Sequence, residues 1–364
     1  MDIIAKITGI EYKIYVREEL KKFSLSEFDI NALPASFILE DKNVSFAISK
    51  WVSPKRTRSY PYERVYNTLS STKKITIIPI VKDEGFEGDR DFIQWDTVSM
   101  MSLLDVYVIL AYYEKAEKHK SRKDKITNQS FSNDFILSKI KEIKNYHSSA
   151  LHWNINELKI NLYNLMDKVK HSYSQIETNL KTKLHSTKGL DDFQKQIKKD
   201  LDFFMDSSRK KSMEAQAREI ETNQPKEFLK TFTKAKITIT NYLGGKYFLT
   251  IDEIELEEKM LYLIESKHSK SSVLPSLSDI KDGLLKLILL SNLKDVTVDG
   301  RKIKCKPILN LTSLKLKGSI QSDSTELDKF FKANAFNEKN KELIKKIFKE
   351  ANENNFLVRI KRAK

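Results

Sequence analysis

Two acidic residues and one lysine stand on two neighbouring predicted strands in YFLTIDEIELEEKMLYLIESKHSK. Because side chains alternate faces along a strand, Glu265 and Lys267 lie on one face of MLYLIESKH, together with Leu261 and Leu263. Asp252 lies thirteen positions before Glu265, and a hairpin would bring the two carboxylates together. Carboxylates bind Mg²⁺ through oxygen, and an adjacent lysine can orient water and stabilise a pentavalent phosphorane. The pattern favours metal-assisted phosphodiester hydrolysis, with a salt-bridged surface hairpin as the alternative.

An Asp on one strand, Glu-x-Lys on the next and a helix after them form a pattern that resembles the PD-(D/E)XK nuclease superfamily. The segment ESKHSKSSVLPSLSDIKDGLLKLILLSNL is similar to that of type II restriction endonucleases in particular. The resemblance covers 236–293, about a sixth of the chain. It implies that Asp252 and Glu265 are catalytic carboxylates that bind a Mg²⁺ cofactor, and that Lys267 is the catalytic lysine.

The chain departs from the family pattern before its first acid. Ile251 precedes Asp252, where the family has proline, so Glu253 or Glu255 could take the place of Asp252.

The family also often has an acid on a helix before the core strands. The segment SMEAQAREIETNQPK offers Glu214, Glu219 and Glu221 for this role, and Glu219 is the chosen fourth catalytic residue. Carboxylates on a solvated helix surface are the alternative interpretation.

The helix that follows the active strand carries charges at Asp279, Lys281, Asp282 and Lys286. We interpret them as residues of a solvated helix face, with a phosphate contact by Lys281 or Lys286 as the alternative. His268 follows Lys267 directly, and alternation turns its side chain away from the acids.

A basic and aromatic segment, KWVSPKRTRSYPYERVYNTL, is the predicted DNA contact. Arginine binds phosphate or guanine edges, aromatic rings stack on bases, and two prolines shape the loop. The alternative is a basic surface loop whose tyrosines pack inward. The predicted nucleic-acid-binding residues are Lys50, Lys55, Arg56, Arg58, Tyr60 and Arg64.

A rival acidic cluster follows a buried strand in ITIIPIVKDEGFEGDRDFIQWDT. No Glu-x-Lys or Asp-x-Lys occurs within that strand, so recognition or conformational roles are favoured over catalysis, and a structural role stays open. The cluster contains Lys82, Asp83, Glu84, Asp89, Asp91 and Asp96. The charged stretch 115–125 is predicted to be an exposed loop, with phosphate contact as the alternative.

The elements that must position the Asp252 site begin at Lys236, where the pattern has period two. KITITNYL, KYFLTIDEIEL and MLYLIESKH predict a three-stranded antiparallel meander, followed by a helix over Ser278–Ser291. Two more strands, two short helices and a terminal strand at Phe356–Ile360 follow.

Before the meander, a stripe of period 3.6 predicts a long helix from Ile155 to Leu184, which Gly189 ends. A second stripe from Leu190 to Phe204 completes a helical hairpin, which packs in a core or, alternatively, forms a dimer interface. A further helix is predicted over Ser212–Thr222.

The first 115 residues alternate strand-like runs with short helices at Tyr62–Leu69 and Phe92–Leu104. One of these runs, IAKITGIEYKIYV, predicts a long first strand. The class is therefore α/β (α+β): a basic N-terminal mixed-sheet region for DNA recognition (1–130), a central long helical hairpin (131–205) and a C-terminal restriction-endonuclease-like core (206–364).

Composition points to a polyanionic partner. The 364 residues include 65 Lys and Arg against 50 Asp and Glu, a formal charge of +15. The single Cys305 excludes a disulfide framework, and no signal peptide or membrane-spanning segment is expected, so a cytoplasmic location is predicted.

These observations and the resemblance predict a Mg²⁺-dependent, sequence-specific endonuclease for double-stranded DNA. A restriction-modification role implies a homodimer and a cognate DNA methyltransferase as functional partner. A non-catalytic nucleic-acid-binding or assembly protein, or a nuclease acting on RNA, is the alternative.

Overall fold

The computed structural model of the protein describes residues 2–42, 44–51, 62–199, 235–241, 246–257, 260–334 and 336–363. The chain divides into two compact units: a continuous unit, Glu19–Lys210, and a discontinuous unit, Met1–Glu18 with Lys211–Lys364. Both combine helices with β-sheet, which confirms the mixed α/β class. The three predicted ranges remain a prediction about functional parts of the chain.

The strands are β1 (Asp2–Ile7), β2 (Lys22–Ser24), β3 (Ser36–Asp41), β4 (Val44–Lys50), β5 (Lys74–Pro79), β6 (Val81–Asp83), β7 (Arg90–Phe92), β8 (Val106–Ala111), β9 (Tyr113–Lys118), β10 (Ile126–Phe131), β11 (Ala235–Asn241), β12 (Lys246–Ile251), β13 (Glu253–Glu257), β14 (Met260–Ser269), β15 (Lys294–Val298), β16 (Arg301–Lys302), β17 (Lys304–Ser313), β18 (Ser319–Gln321) and β19 (Leu357–Arg362).

The α-helices are α1 (Tyr62–Thr68), α2 (Trp95–Leu103), α3 (Asn133–Lys144), α4 (Ala150–Asn156), α5 (Leu162–Leu180), α6 (Lys188–Lys199), α7 (Leu277–Ser291), α8 (Leu327–Asn334) and α9 (Glu338–Glu353). A 3₁₀ turn covers Leu25–Glu27 and a π-helix covers Glu157–Asn161. No helix in the described ranges has the length and apolar character needed to cross a membrane.

The described part of the continuous unit contains a five-stranded sheet in the order β2-β3-β4-β5-β8. Strands β4, β5 and β8 run parallel, and every residue of β8 is buried. Such unbroken apolar runs are typical of parallel strands covered on both faces.

Helices occupy both predicted stripes in the described residues of the continuous unit, with different ends, and residues 200–204 of the second stripe lie outside those residues. Helix α4, the π-helix and α5 cover 150–180, and α5 ends at Leu180 with Lys181 as its C-cap, whose φ of +49° is left-handed. Gly189 does not break a helix but lies inside α6, where a Cβ atom would meet the guanidinium of Arg90 at 2.1 Å. The stripe residues Leu158, Leu162, Leu165, Val169, Tyr173 and Ile176 are buried, which supports a core role for this face.

The described discontinuous unit contains two five-stranded sheets, β12-β11-β1-β15-β16 and β13-β14-β17-β19-β18. In the second sheet, β14, β17 and β19 are parallel and the outer strands are antiparallel to them. Helix α7 packs against β14 and β17 and starts at a Ser276 cap, whose side chain accepts from Asp279 N.

The meander prediction is only partly correct, because the long middle strand belongs to two sheets. Strand β12 pairs with β11 and β13 pairs with β14, and Asp252 is the bend between them. Asp252 therefore lies where the chain leaves one sheet and enters the other.

The predicted long first strand is wrong beyond Ile7. Strand β1 ends there, and the segment after it bonds to the end of α9 instead of a neighbouring strand. The N–H groups of Tyr15 and Val16 donate to Glu350 Oε2 at 2.7 and 3.0 Å, and Lys13 N donates to Asn354 Oδ1 at 2.7 Å. The alternating apolar pattern reflects this partly buried extended segment and not sheet pairing.

Candidate active site

The candidate site lies at the bend between β12 and β13 and on the neighbouring strand β14. The antiparallel register pairs Glu253 with Ile264, which leaves Asp252 at the level of Glu265 and Ser266. The main-chain N–H of Ser266 donates to Asp252 Oδ2 at 2.9 Å, so β14 itself holds the Asp252 carboxylate beside Glu265.

Glu265 is the buried centre of the site, with 1% of its surface exposed. Its Oε1 atom is 3.0 Å from Lys267 Nζ and 2.8 Å from Lys286 Nζ. Burial of a carboxylate is costly without compensation, and these two lysines supply it. Its Oε2 atom is buried and has no hydrogen-bond partner in the part of the chain that the structure describes.

Lys267 lies between two acids. Its Nζ is 2.5 Å from Asp282 Oδ2 on α7, as well as 3.0 Å from Glu265. Burial lowers the pKa of Lys267, but the negative charges of Glu265 and Asp282 outweigh burial and raise it above its ordinary value. Lys267 is therefore a fixed cation in this arrangement.

The two predicted metal carboxylates repel each other. Burial raises the pKa of Asp252, and the negative charge of Glu265 raises it further, against the opposing effects of Ser266 N–H, Lys286 and Lys267. Two carboxylates whose charges are mutually unfavourable form a site at which a cation is stabilising.

Gly283 allows α7 to approach the sheet closely. A Cβ atom at this position would lie 2.7 Å from Leu309 Cδ1 and 3.4 Å from Lys267 Cε. The stem of Lys267 therefore runs along the surface of α7 at the glycine, which restricts where its amino group can go.

Three of the four charged residues of α7 correct the solvated-face interpretation, whereas Asp279 is exposed. Lys281 is buried and forms an ion pair with Glu18, while Asp282 and Lys286 bond to the site residues. The sequence analysis gave Lys286 only as an alternative phosphate contact and gave Asp282 no role in the site. The spacing of four between them was the available signal, because it puts both on one face of α7.

His268 is exposed and lies 3.0 Å from the Thr312 hydroxyl, away from the acids, as alternation predicted. Of the alternative acids, Glu253 accepts a long 3.4 Å bond from the Ser266 hydroxyl, and Glu255 pairs with Arg359. Asp252 is the acid whose pKa responds to Glu265.

The residues present fit a divalent cation of the Mg²⁺ type. The described ranges contain no group of three or more His, Cys, Asp and Glu side chains placed to hold a metal ion. Mg²⁺, however, commonly binds proteins through one or two carboxylates and completes its coordination with water and substrate phosphate. Asp252 and the buried Oε2 atom of Glu265 supply such a pair.

Several predicted residues fall outside the described ranges: Lys55, Arg56, Arg58 and Tyr60 of the DNA-contact segment, and Glu214, Glu219 and Glu221 together with the predicted helix Ser212–Thr222.

Lys50 and Arg64, the two predicted DNA-contact residues that the structure describes, donate hydrogen bonds within the continuous unit. Lys50 is buried, and its Nζ donates to the carbonyls of Ile30 and Leu33 at 2.5 Å each. Burial, then the charge of Arg64, lowers the pKa of Lys50 to about 8. Arg64 Nη1 donates to Lys50 O at 2.9 Å, so these cations fix the chain on either side of residues 52–61.

The first three residues of the rival cluster, Lys82, Asp83 and Glu84, form ion pairs. Asp83 is buried and meets His185 Nδ1 at 2.8 Å and Arg90 at 3.8 Å, while Glu84 pairs with Lys82 and Lys125. Asp83 also accepts from Gly85 N at 2.8 Å. These contacts favour a structural role for Asp83 and Glu84.

No protein-family model, no curated protein and no solved structure matches the chain in the three comparisons that were made.

Proposed function

We propose that the protein is a Mg²⁺-dependent endonuclease for double-stranded DNA, with its active site at Asp252, Glu265 and Lys267. One observation carries the proposal: Lys267 Nζ, the predicted catalytic amino group, lies 3.0 Å from the buried Glu265. Glu265 also has one oxygen without a hydrogen-bond partner among the described residues, and its charge raises the pKa of Asp252. Four charged side chains here are joined by ion pairs in a partly buried place, with Asp252 close enough to feel the charge of Glu265, and such concentration is typical of functional sites.

Each side chain has a defined task in this proposal. Asp252 and Glu265 would hold Mg²⁺, which when bound supplies Lewis-acid polarisation of the scissile phosphate. Lys267, held as a cation, orients the attacking water and stabilises the negative charge that develops on phosphate oxygens.

The α7 residues act through these groups. Asp282 positions Lys267 through the 2.5 Å contact, and Lys286 offsets part of the charge of Glu265. Both are positioning residues, because their observed contacts are with the proposed catalytic side chains and not with a reacting group.

The broader role extends the same proposal. The sheet β13-β14-β17-β19-β18 with α7 would be the restriction-endonuclease-like core, and Glu219 its fourth acid. Sequence-specific cleavage in a restriction-modification system implies a homodimer, a cognate DNA methyltransferase and a cytoplasmic location. Lys55, Arg56, Arg58 and Tyr60 are proposed DNA contacts.

The experiment is digestion of unmethylated plasmid and phage DNA with Mg²⁺ or with EDTA. Wild-type protein should give discrete bands with Mg²⁺ only. Lys267→Ala should give none yet retain DNA binding, because this lysine acts on the transition state. Asp252→Asn should lose activity together with Mg²⁺ affinity.

The matched control is Lys302→Ala, which removes an exposed lysine paired with Asp295 in the same unit. It should cleave like the wild type. Cleavage by Lys267→Ala at the wild-type rate would contradict the assignment of the site. Absence of cleavage with retained DNA binding would favour a non-catalytic binding protein, and cleavage of RNA alone would change the substrate class.

A further inference from the structure

Hydrogen bonds join three loops of the continuous unit into one exposed basic surface. They are the β9–β10 loop (119–125), the β6–β7 loop (84–89) and the segment between α5 and α6 (181–187). We define the basic ridge as the six exposed cations on these loops and the adjoining end of β9: Lys118, Lys120, Arg122, Lys123, Lys181 and Lys183.

The main chains of the three loops are held together by specific hydrogen bonds. Phe86 N donates to Lys183 O at 3.0 Å, and Glu87 N donates to Asp124 O at 3.0 Å. Gly85, at φ +94°, is required for this approach, because a Cβ atom there would lie 2.4 Å from Asp124 O. The predicted exposed loop at 115–125 therefore has a defined conformation at the end of the β9–β10 hairpin.

Two acids of this surface accept hydrogen bonds from the loop backbone, and the six ridge cations outnumber the three exposed acids, Glu87, Asp89 and Glu117. Glu87 Oε2 accepts from Asp124 N at 3.0 Å, and Asp124 Oδ1 accepts from Lys183 N at 2.9 Å. At the loop tip, the N–H groups of Ser121 and Arg122 both lie 3.2 Å from His119 Nδ1. The carboxylates thus build the loops, and the exposed side presents mainly positive charge.

An aromatic ring lies among these cations. Phe86 is 58% exposed and is the one aromatic among the large exposed hydrophobic side chains of the described residues. Lys183 Nζ lies 4.6 Å from its ring centroid, and the His185 ring lies beside it at 6.3 Å. A single exposed ring is common on protein surfaces, but this one lies among the ridge cations, where it offers an apolar contact beside their charges.

We infer that the basic ridge is a second nucleic-acid contact surface, which binds the phosphate backbone of duplex DNA and places Phe86 against it. Cations that are exposed and held by an ordered scaffold contact phosphates without fixing sequence. The choice of DNA as the polyanion rests on the proposed function. The ridge is distinct from the predicted segment 50–64, because none of its residues belongs to that segment.

The test measures binding of a labelled DNA duplex to the full chain in EDTA, by fluorescence anisotropy at several salt concentrations. The ridge variant is Arg122→Ala/Lys123→Ala/Lys183→Ala. Each lost phosphate contact should reduce the slope of log K against log[salt] by about 0.9, and so by up to about 2.7 for three. Phe86→Ala should weaken binding about fivefold or more with an unchanged slope, because it removes an aromatic contact but no charge.

The matched control is Lys329→Ala/Lys341→Ala/Lys345→Ala, which removes the same charge from two exposed helix positions and one half-buried position of the discontinuous unit. It should leave the slope near the wild-type value. If the triple variant unfolds at a markedly lower temperature than the wild type, Lys123→Ala alone replaces it, with a predicted slope change of about 0.9. Equal slopes and affinities for the ridge and control variants would overturn the inference.

Two further outcomes separate this inference from the proposed function. Loss of DNA binding in the ridge variant, when the wild type binds but does not cut DNA with Mg²⁺, would uphold the ridge and reject the nuclease. Cleavage by both wild type and ridge variant, with unchanged binding, would reject the ridge alone. Displacement of DNA by polyglutamate as effectively as by duplex of equal charge would overturn the inference in favour of an acidic protein partner.

Discussion

Replacement of both lysines at Glu265 tests the charge balance of the site directly. The variants are Lys267→Met, Lys286→Met and the double substitution, which keep the apolar stems and remove the cations. Both amino groups contact Oε1 of Glu265, at 3.0 and 2.8 Å, so either can still offset its charge when the other is gone. Each single variant should therefore lose only about 1 kcal/mol of the free energy of unfolding.

At pH 7 the double variant should lose more of the free energy of unfolding than the sum of the two single variants. Glu265 is 1% exposed, and both lysines that contact it would be absent. A buried carboxylate without a cation takes up a proton, which for an ordinary glutamate costs about 3.7 kcal/mol at pH 7 and about 1 kcal/mol at pH 5. The excess over additivity at pH 7 is then about 1.7 kcal/mol, within the range of coupled neighbours.

Denaturant unfolding of all four proteins at pH 5 and pH 7, with Mg²⁺ and with EDTA, gives these free energies. Mg²⁺ at about 100 times its dissociation constant should restore about 2.7 kcal/mol to the double variant, because the ion replaces the lost positive charge. The control pair Lys341→Met/Lys345→Met should lose less than about 1 kcal/mol at either pH. Additive losses, or equal losses at both pH values, would refute the shared role of the lysines.

Three further predictions concern single positions. Asp282→Asn should lower single-turnover cleavage about tenfold or more with little change in KM, because it frees Lys267; an effect on KM alone would contradict a positioning role. Between pH 8 and about 10.4, Lys50 holds a proton in the unfolded chain but not in the folded protein. The free energy of unfolding of the wild type, measured in denaturant, should therefore rise with pH relative to that of Lys50→Met, by up to about 3 kcal/mol. A fall would contradict the buried position of this lysine. Gly283→Ala should lower the free energy of unfolding by about 1–3 kcal/mol in thermal melts, because the added Cβ atom overpacks Leu309. It should also slow cleavage by displacing Lys267. An unchanged stability and cleavage rate would show that α7 moves to accommodate the methyl group.

Local periodicity predicted the central part of the site. The alternation of MLYLIESKH placed Glu265 and Lys267 together, and the hairpin placed Asp252 beside them. Both relations depend on residues that are close in sequence, so local periodicity is enough to predict them. The additional cation Lys286 and the acid Asp282 depend on how α7 lies across β14 and β17, which no periodicity specifies.

The remaining differences have similar long-range causes. Lys50 looks like a surface cation in a basic segment, but its amino group satisfies carbonyls of Ile30 and Leu33 in the interior. The change of sheet at Asp252 carries no glycine or proline to mark it. The helix end at Lys181 requires a left-handed backbone from a residue that rarely adopts one.

The pairing of β1 sets an order for the synthesis and folding of the chain. Ile3 pairs with Ile237, about 230 residues later, so closing the sheet carries a large loop entropy. At about 5–20 residues per second, roughly 10–50 s pass on the ribosome before β1 meets β11. Throughout that interval the strand DIIAKI lacks its partner β11, whereas the continuous unit, Glu19–Lys210, is completed before β11 is synthesised and can fold first. The proposed catalytic unit is therefore the last to form and the one most dependent on chaperones that shield an unpaired strand.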